Sequence, residues 1–281
     1  MDYDFKKVQA GAVSLAYVER GEGDPVIFVH GSGATDMRTW GAQIELFGER
    51  YRAIAYSRRY HYPNPWLGDG SEINDVAVHA ADLAALIAAL GLDRPHLVGL
   101  SFGADIALRF AVDYQRLVRS VSLAEPGLFP WLVTLPGGAD LFADFARAMM
   151  PAKEAAAAGD LESAARLWID SFITSGAFEQ LPASVHDRIM ANARHIGFEP
   201  TALGELAGGV TRVEVAAIGA PALLLRGDES APMFQRVIDD LERVLPRAER
   251  ATIQQASHLL HVMNPTGFNA AVMEFWATHA H

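Results

Sequence analysis

The chain has 281 residues, 51% of them hydrophobic and 20% charged, which suits one large domain or one domain with an insertion. A chain of this length buries roughly 75% of the surface its unfolded form exposes, so its core needs no covalent staples. A formal charge of −11 without any Lys/Arg run excludes a basic face for nucleic acid or an anionic membrane, and the absence of cysteine excludes disulfides, thiolate metal sites and a cysteine nucleophile.

The opening residues, Met1-Asp2-Tyr3-Asp4-Phe5-Lys6-Lys7, lack the apolar run of a signal peptide, and no later stretch reaches the ~18 unbroken apolar residues of a membrane span. The expectation is a soluble, cytoplasmic protein, monomeric or homodimeric, whose partner is a small-molecule substrate. Strands are expected at 13–18 and 26–30, the second a β-branched and aromatic run suited to burial on both faces. A helix around 40–47 and a strand near 53–56 follow. Residues 74–90 are apolar at helical spacing and stop at Gly91. A strand at 96–100 runs straight into a helix from about 102 to 112, and another strand spans 118–124. Strand–helix alternation of this kind implies an α/β fold, a mostly parallel sheet with helices on both faces.

The texture changes between Gly127 and Gly219, where the sequence is Ala-rich, helical in period (161–172, 185–193) and without a convincing strand. The Ala155–Ala158 run belongs to this helical texture, since Ala is the best helix former. Alternation resumes with a strand at 222–225, a helix at 234–245, a strand at 251–253 and a closing helix at 268–278. An all-helical block of 128–218 set into a core of 1–127 and 219–281 reads as a lid.

Gly99-Leu100-Ser101-Phe102-Gly103 matches G-x-S-x-G, with a strand before it and a helix after it. A serine on so tight a turn projects its oxygen from the sheet edge, and the turn leaves no room for side chains at the flanking glycines. The helix start also offers free N–H groups to a developing oxyanion. His30-Gly31-Ser32-Gly33 ends the buried strand and supplies a candidate second donor, so the backbone N–H groups of Ser32 and Phe102 are the expected oxyanion hole. It is not a dinucleotide fingerprint, because the G-x-G-x-x-G spacing fails at 38–41. A serine needs a base to become a nucleophile at neutral pH, and the base belongs after the last strand. His258 in Gln255-Ala256-Ser257-His258 stands there, with His261 expected to pack beside it. The other histidines show no metal-ligand spacing, so neither metal nor organic cofactor is implied.

These features, in this order and over nearly the whole length, resemble the α/β-hydrolase superfamily: an H-G-x-G loop, a nucleophile elbow, a helical cap and a late S-H turn. The resemblance implies a triad acid, and here the chain departs from the usual pattern. Most relatives place the acid in a G-x-x-D turn after the cap, but Gly227-Asp228-Glu229-Ser230 has serine at that position. Asp228 is two residues early. Glu125, in Ala124-Glu125-Pro126, leaves the strand after the nucleophile helix, where haloalkane dehalogenases and zearalenone-type lactonases carry their acid. Glu125 is the preferred partner of His258 and Asp228 the alternative. Arg58-Arg59-Tyr60-His61-Tyr62-Pro63 is either a grip for a polar aromatic substrate or an ordinary basic loop. Trp131 and Trp168 are the candidate substrate-binding residues of the lid, among aromatics that also suit a lid core.

The expected reaction is hydrolysis of a carboxylic ester or lactone with an apolar acyl part through an acyl-enzyme on Ser101. Amide, thioester or carbon–carbon cleavage on the same groups is the alternative, as is a non-catalytic ligand receptor, since fold does not fix function. A serine at the elbow argues against dehalogenase and epoxide hydrolase chemistry, whose relatives carry aspartate there.

Overall fold

The computed structural model describes residues 4–172 and 175–279. Eight strands form one sheet in the order β1-β2-β4-β3-β5-β6-β7-β8. They are β1 (Lys6–Ala10), β2 (Val13–Arg20), β3 (Pro25–Val29), β4 (Arg52–Tyr56), β5 (His96–Leu100), β6 (Ser120–Ala124), β7 (Ala222–Gly227) and β8 (Ala248–Ile253). Both pairings of β2 are antiparallel, and from β4 to β8 every neighbour is parallel. β1 escaped the sequence reading. Its segment, KKVQA, has apolar side chains only at Val8 and Ala10 and lies mostly exposed at the sheet edge, so tertiary pairing with β2 rather than periodicity makes it a strand.

Period-two alternation distributes each strand between two layers. Ile27 and Val29 face α2 (Val76–Ala89) and α3 (Phe102–Asp113). Val26 and Phe28 face α1 (Gly41–Phe47) and the closing helices, of which Phe268, Val272 and Trp276 are the buried contacts. No helix of the described residues is long and apolar enough to cross a membrane.

Between β6 and β7 the described residues contain helices and turns and no strand: α4 (Phe129–Leu132), α5 (Gly138–Ala157), α6 (Leu161–Phe172), α7 (Ala183–Met190) and α8 (Arg212–Val215). The main domain then resumes with α9 (Pro232–Val244), α10 (Leu260–Met263) and α11 (Pro265–Thr278). The segment expected as a cap, 128–218, packs in two ways. Met149, Ala165, Trp168, Ile169 and Ile196 form a cluster of their own. The two ends of the block, Leu128 to Phe142 and Val210 to Ile218, instead pack into the main core. Buried Asn192 anchors the cap, donating to Asp36 Oδ2 at 2.7 Å and accepting from the Tyr62 N–H at 2.9 Å.

The turn at Ser101 is tightly packed on both sides. Ser101 stands at φ +53°, ψ −124°, a conformation that costs a non-glycine residue roughly 1–3 kcal/mol and persists only where its surroundings enforce it. Its N–H donates to Ala124 O at 2.8 Å, tying the turn to β6. A Cβ at Gly99 would stand 2.3 Å from Gly103 O, and one at Gly103 would stand 2.2 Å from Val29 O. Both obstacles are backbone, so neither site has room to adapt. Gly99→Ala and Gly103→Ala are each expected to destabilise by about 1–3 kcal/mol or more, the cost of overpacking a rigid site, read as a lowered urea midpoint.

Candidate active site

In a parallel sheet the carboxyl ends of the strands lie along one edge, and ligands bind in the crevice outside that edge. Four segments leave it together: His30-Gly31-Ser32 after β3, Ser101 after β5, Glu125 after β6, and the turn carrying His258 after β8. Gly31, Ser32, Ser101, Phe102 and His258 border one cavity, whose apolar wall comes largely from Phe129, Phe145, Trp168, Ile169 and Phe172 of the cap and Phe234 of α9. Phe102 is the first residue of α3, so its N–H is among those a helix cannot bond internally.

Glu125 is fully buried, at φ +44°. Its Oε2 lies 2.8 Å from His258 Nδ1, and its Oε1 accepts the Gly227 N–H at 2.8 Å. With Nδ1 committed to the carboxylate, Nε2 is the ring nitrogen left to work. The imidazole stacks on Phe234, with centroids 4.1 Å apart and planes 10° apart, and lies parallel to Phe172 at 5.7 Å. Asp228 does not reach it: the side chain is exposed and accepts the Ala256 N–H at 3.2 Å, which holds its carboxyl below the usual range. Ser230, at the usual acid position, is buried. His261 packs as expected, buried against Trp40 at 4.3 Å with Nε2 3.0 Å from Thr39 Oγ1.

The two lid tryptophans separate. Trp168 borders the cavity and donates from Nε1 to Glu199 Oε1 at 3.2 Å. Trp131 is a correction: it does not border this cavity but lies buried in the main core, beside an adjoining cavity that shares Asp105, Phe129 and Leu206, with Nε1 donating to Val210 O at 2.7 Å and Arg212 over its ring at 4.6 Å. Its place follows from α4, which belongs to the fused end of the cap rather than to the cap's own cluster.

The loop after β4 is an internal brace. Arg58 is 1% exposed, donates from Nη2 to Gly31 O at 2.7 Å, places Nη1 3.2 Å from His79 Nε2 and stacks over Phe102 at 4.9 Å. Thr35 Oγ1 donates to the same carbonyl at 3.1 Å, and His30 Nδ1 lies 2.9 Å from it. In a trans peptide the C=O and N–H point oppositely, so fixing Gly31 O inward turns the Ser32 N–H outward. Arg59 is held by Asp82 at 2.7 Å and by Glu72. The sequence offered no way to tell this brace from a substrate grip, because burial of Arg58 depends on contacts from residues 27 and 21 positions away.

Two further carboxyls that the sequence reading passed over, Asp105 on α3 and Glu199 in the cap, also border the cavity. Burial pushes each up to about 7.

The family model described as alpha/beta hydrolase fold matches residues 24–265, and the chain belongs to that family. Its relatives by sequence include the 2-(acetamidomethylene)succinate hydrolase of Mesorhizobium japonicum, 25% identical over 96% of this chain and 94% of that protein. The N-formylmaleamate deformylase of Pseudomonas putida is 26% identical over 95% and 94%. Among solved structures, the enol-lactonase of Burkholderia xenovorans superposes with a TM-score of 0.77 at 18% identity, covering 97% of this chain and all of that one. With the family model over residues 24–265 and relatives such as the succinate-derivative hydrolase above, this chain is a hydrolase of the α/β-hydrolase fold.

Six histidines are buried in their neutral form. Burial first, and for His30 and His79 next the Arg58 charge, puts His30, His61 and His79 well below the ordinary imidazole value; His96 and His195 fall to about 4 and His261 to about 3. The unfolded chain binds these protons near pH 6.5 while the native chain refuses them. Their contribution to stability is therefore present above that pH and is lost as pH falls from about 6.5 towards 4, by up to about 1.4 kcal/mol per pH unit per histidine. Asp105 and Glu199 act in the opposite sense, since their raised values favour the native state as pH falls below 7, but they are two against six. The urea midpoint is expected to fall steadily between pH 7 and pH 5.

Proposed function

We propose that this hydrolase cleaves a carboxylic ester or lactone with an apolar acyl part, through an acyl-enzyme on Ser101 with His258 as base and Glu125 as the acid that orients it. The observation that carries the reading is the buried Glu125 carboxylate on His258 Nδ1, behind a cavity that Ser101 also borders. His258 Nε2 takes the Ser101 proton as Oγ attacks the carbonyl carbon, and the tetrahedral oxyanion rests on the N–H groups of Ser32 and Phe102. The alcohol leaves with the proton held by His258. Water then loses a proton to His258, attacks the acyl carbon and releases the acid, restoring Ser101. Through Gly31 O, Arg58 is a positioning residue for the Ser32 N–H. The imidazolium formed twice per cycle is stabilised by Glu125.

An amide bond is the second reading. It is favoured by the two relatives above, whose names carry an acylated nitrogen.

A fluorophosphonate is expected to label the wild type at Ser101, and Ser101→Ala to lose both label and turnover of short acyl esters. Glu125→Gln is expected to lower kcat by up to roughly 10⁴-fold while Asp228→Asn costs far less. The reverse ranking transfers the acid role to Asp228, and label-free protein without turnover sinks the serine mechanism in favour of a receptor.

Arg58→Met should lower kcat much more than it changes KM, by up to about 10²-fold, the scale of one misplaced oxyanion donor. An unchanged kcat in that variant refutes the brace.

A further inference from the structure

The cavity bordered by Ser101 is apolar except for its reacting groups, two hydroxyl residues and two carboxyls, one carboxyl from each side of the cleft. Asp105 comes from the first turn of α3 in the main domain, and Glu199 from the cap. Neither is placed by packing alone. Glu199 is 3% exposed and accepts from Trp168 Nε1 and Ser32 Oγ, both at 3.2 Å, one bond to each oxygen. Each carboxyl oxygen carries two lone pairs, so both keep capacity for another donor. Asp105 accepts from the Leu128 N–H at long distances of 3.3 and 3.4 Å and has the Gly127 N–H as a second backbone donor.

Countercharge is missing from the wall. No Arg or Lys stands among the described residues bordering the cavity. Arg58, a buried cation that acts on Glu199, spends Nη2 on Gly31 O and lies beside His79 and Phe102. Lys153, which also acts on Glu199, is held by Glu205 at 2.7 Å and Thr201 at 3.1 Å. A carboxylate brought into this cavity would lose its water and meet two carboxyls, with only the transient His258 imidazolium as compensation. A hydroxyl or ammonium would find open acceptors.

Resting on the hydrolase reading of the same cavity, we propose that the enzyme selects substrates whose buried part is uncharged or cationic and ends in a hydrogen-bond donor, with Glu199 and Asp105 as the selecting groups, and rejects substrates whose buried part ends in a carboxylate. The rule deepens the assignment from "apolar acyl part" to an apolar chain with a donor at its far end. Burial itself supports it, since desolvation is the largest influence on both carboxyls and pushes both up, outweighing the pull of Arg58 and Lys153 on Glu199.

Four methyl esters of equal chain length separate the possibilities: methyl hexanoate, methyl 6-hydroxyhexanoate, methyl 6-aminohexanoate and monomethyl adipate. Wild-type kcat/KM for the hydroxyl and amino esters is expected to equal or exceed that for hexanoate, and the adipate ester to fall at least about tenfold below it, the scale on which an unpaired buried polar group is rejected. In Glu199→Gln, and separately in Asp105→Asn, the adipate-to-hexanoate ratio is expected to rise and the amino-to-hexanoate ratio to fall. Equal wild-type turnover of adipate and hexanoate esters, or ratios unmoved by both substitutions, overturns the proposal. The corresponding primary amides give a readout independent of turnover through the thermal shift a bound ligand produces. A shift by 6-aminohexanamide but not by adipic acid monoamide supports the charge rule even if no ester is cleaved, in which case the hydrolytic reading alone fails. Equal shifts count against the rule.

Discussion

A carboxylate sealed from water must have its oxygens satisfied by the protein, and the Glu125 side chain meets that demand by joining three strand ends. Its backbone leaves β6 with the N–H donated to Leu225 O at 3.0 Å. One oxygen then takes the Gly227 N–H at the end of β7, and the other takes His258 beyond β8. The Gly227 turn is the place where the resemblance to the family leads one to expect an aspartate. Here that turn supplies a backbone donor instead, and the carboxylate arrives from the neighbouring strand. The positive φ of Glu125 and of Ser101 follow from the same crowding, since β5 and β6 finish level, with Leu100 opposite Ala124, and both chains must turn at once.

Arg58 performs a comparable service on the other side of the cleft. An interior guanidinium is costly to bury, and Arg58 offsets that cost with the bond from Nη2 to Gly31 O and the ring of Phe102, while its Nε has no hydrogen-bond partner among the described residues. Its bond to Gly31 O holds the Gly31–Ser32 peptide beside the cavity, and its charge helps keep His30 and His79 neutral. The rings of His30, His61 and His195 continue this packing from main domain to cap, with His61 stacked on His195 at 3.8 Å. Protonating that stack would place like charges in contact, so the same packing that positions the loop makes the fold sensitive to acid.

The cap is one insertion in sequence and two objects in packing. Its ends continue the main core, which carries Trp131 away from the cleft, while its middle has a separate cluster that presents Trp168, Phe172 and Glu199 to the cleft. The positions of Trp168, Phe172 and Glu199 are set by this segment's own packing and by a few polar ties, such as Asn192 to Asp36 and Asn74 to Phe198 O at 2.7 Å.

The amino-acid sequence alone determined the elements whose signals are local. Buried β-branched runs marked β3 and β5, G-x-S-x-G between strand and helix marked the tight turn at Ser101, and the late Ser-His turn marked His258 as the proposed base. A serine in the usual acid place narrowed the acid to two candidates. What remained depended on distance through space. β1 is a strand only because β2 offers it a ladder, Arg58 is a brace only because Gly31 and His79 close around it, and Trp131 and Trp168 share a composition but not a side of the cap. Glu125 and His258 are 133 positions apart, and their hydrogen bond exists only once the parallel sheet has set the ends of β6 and β8 along one edge.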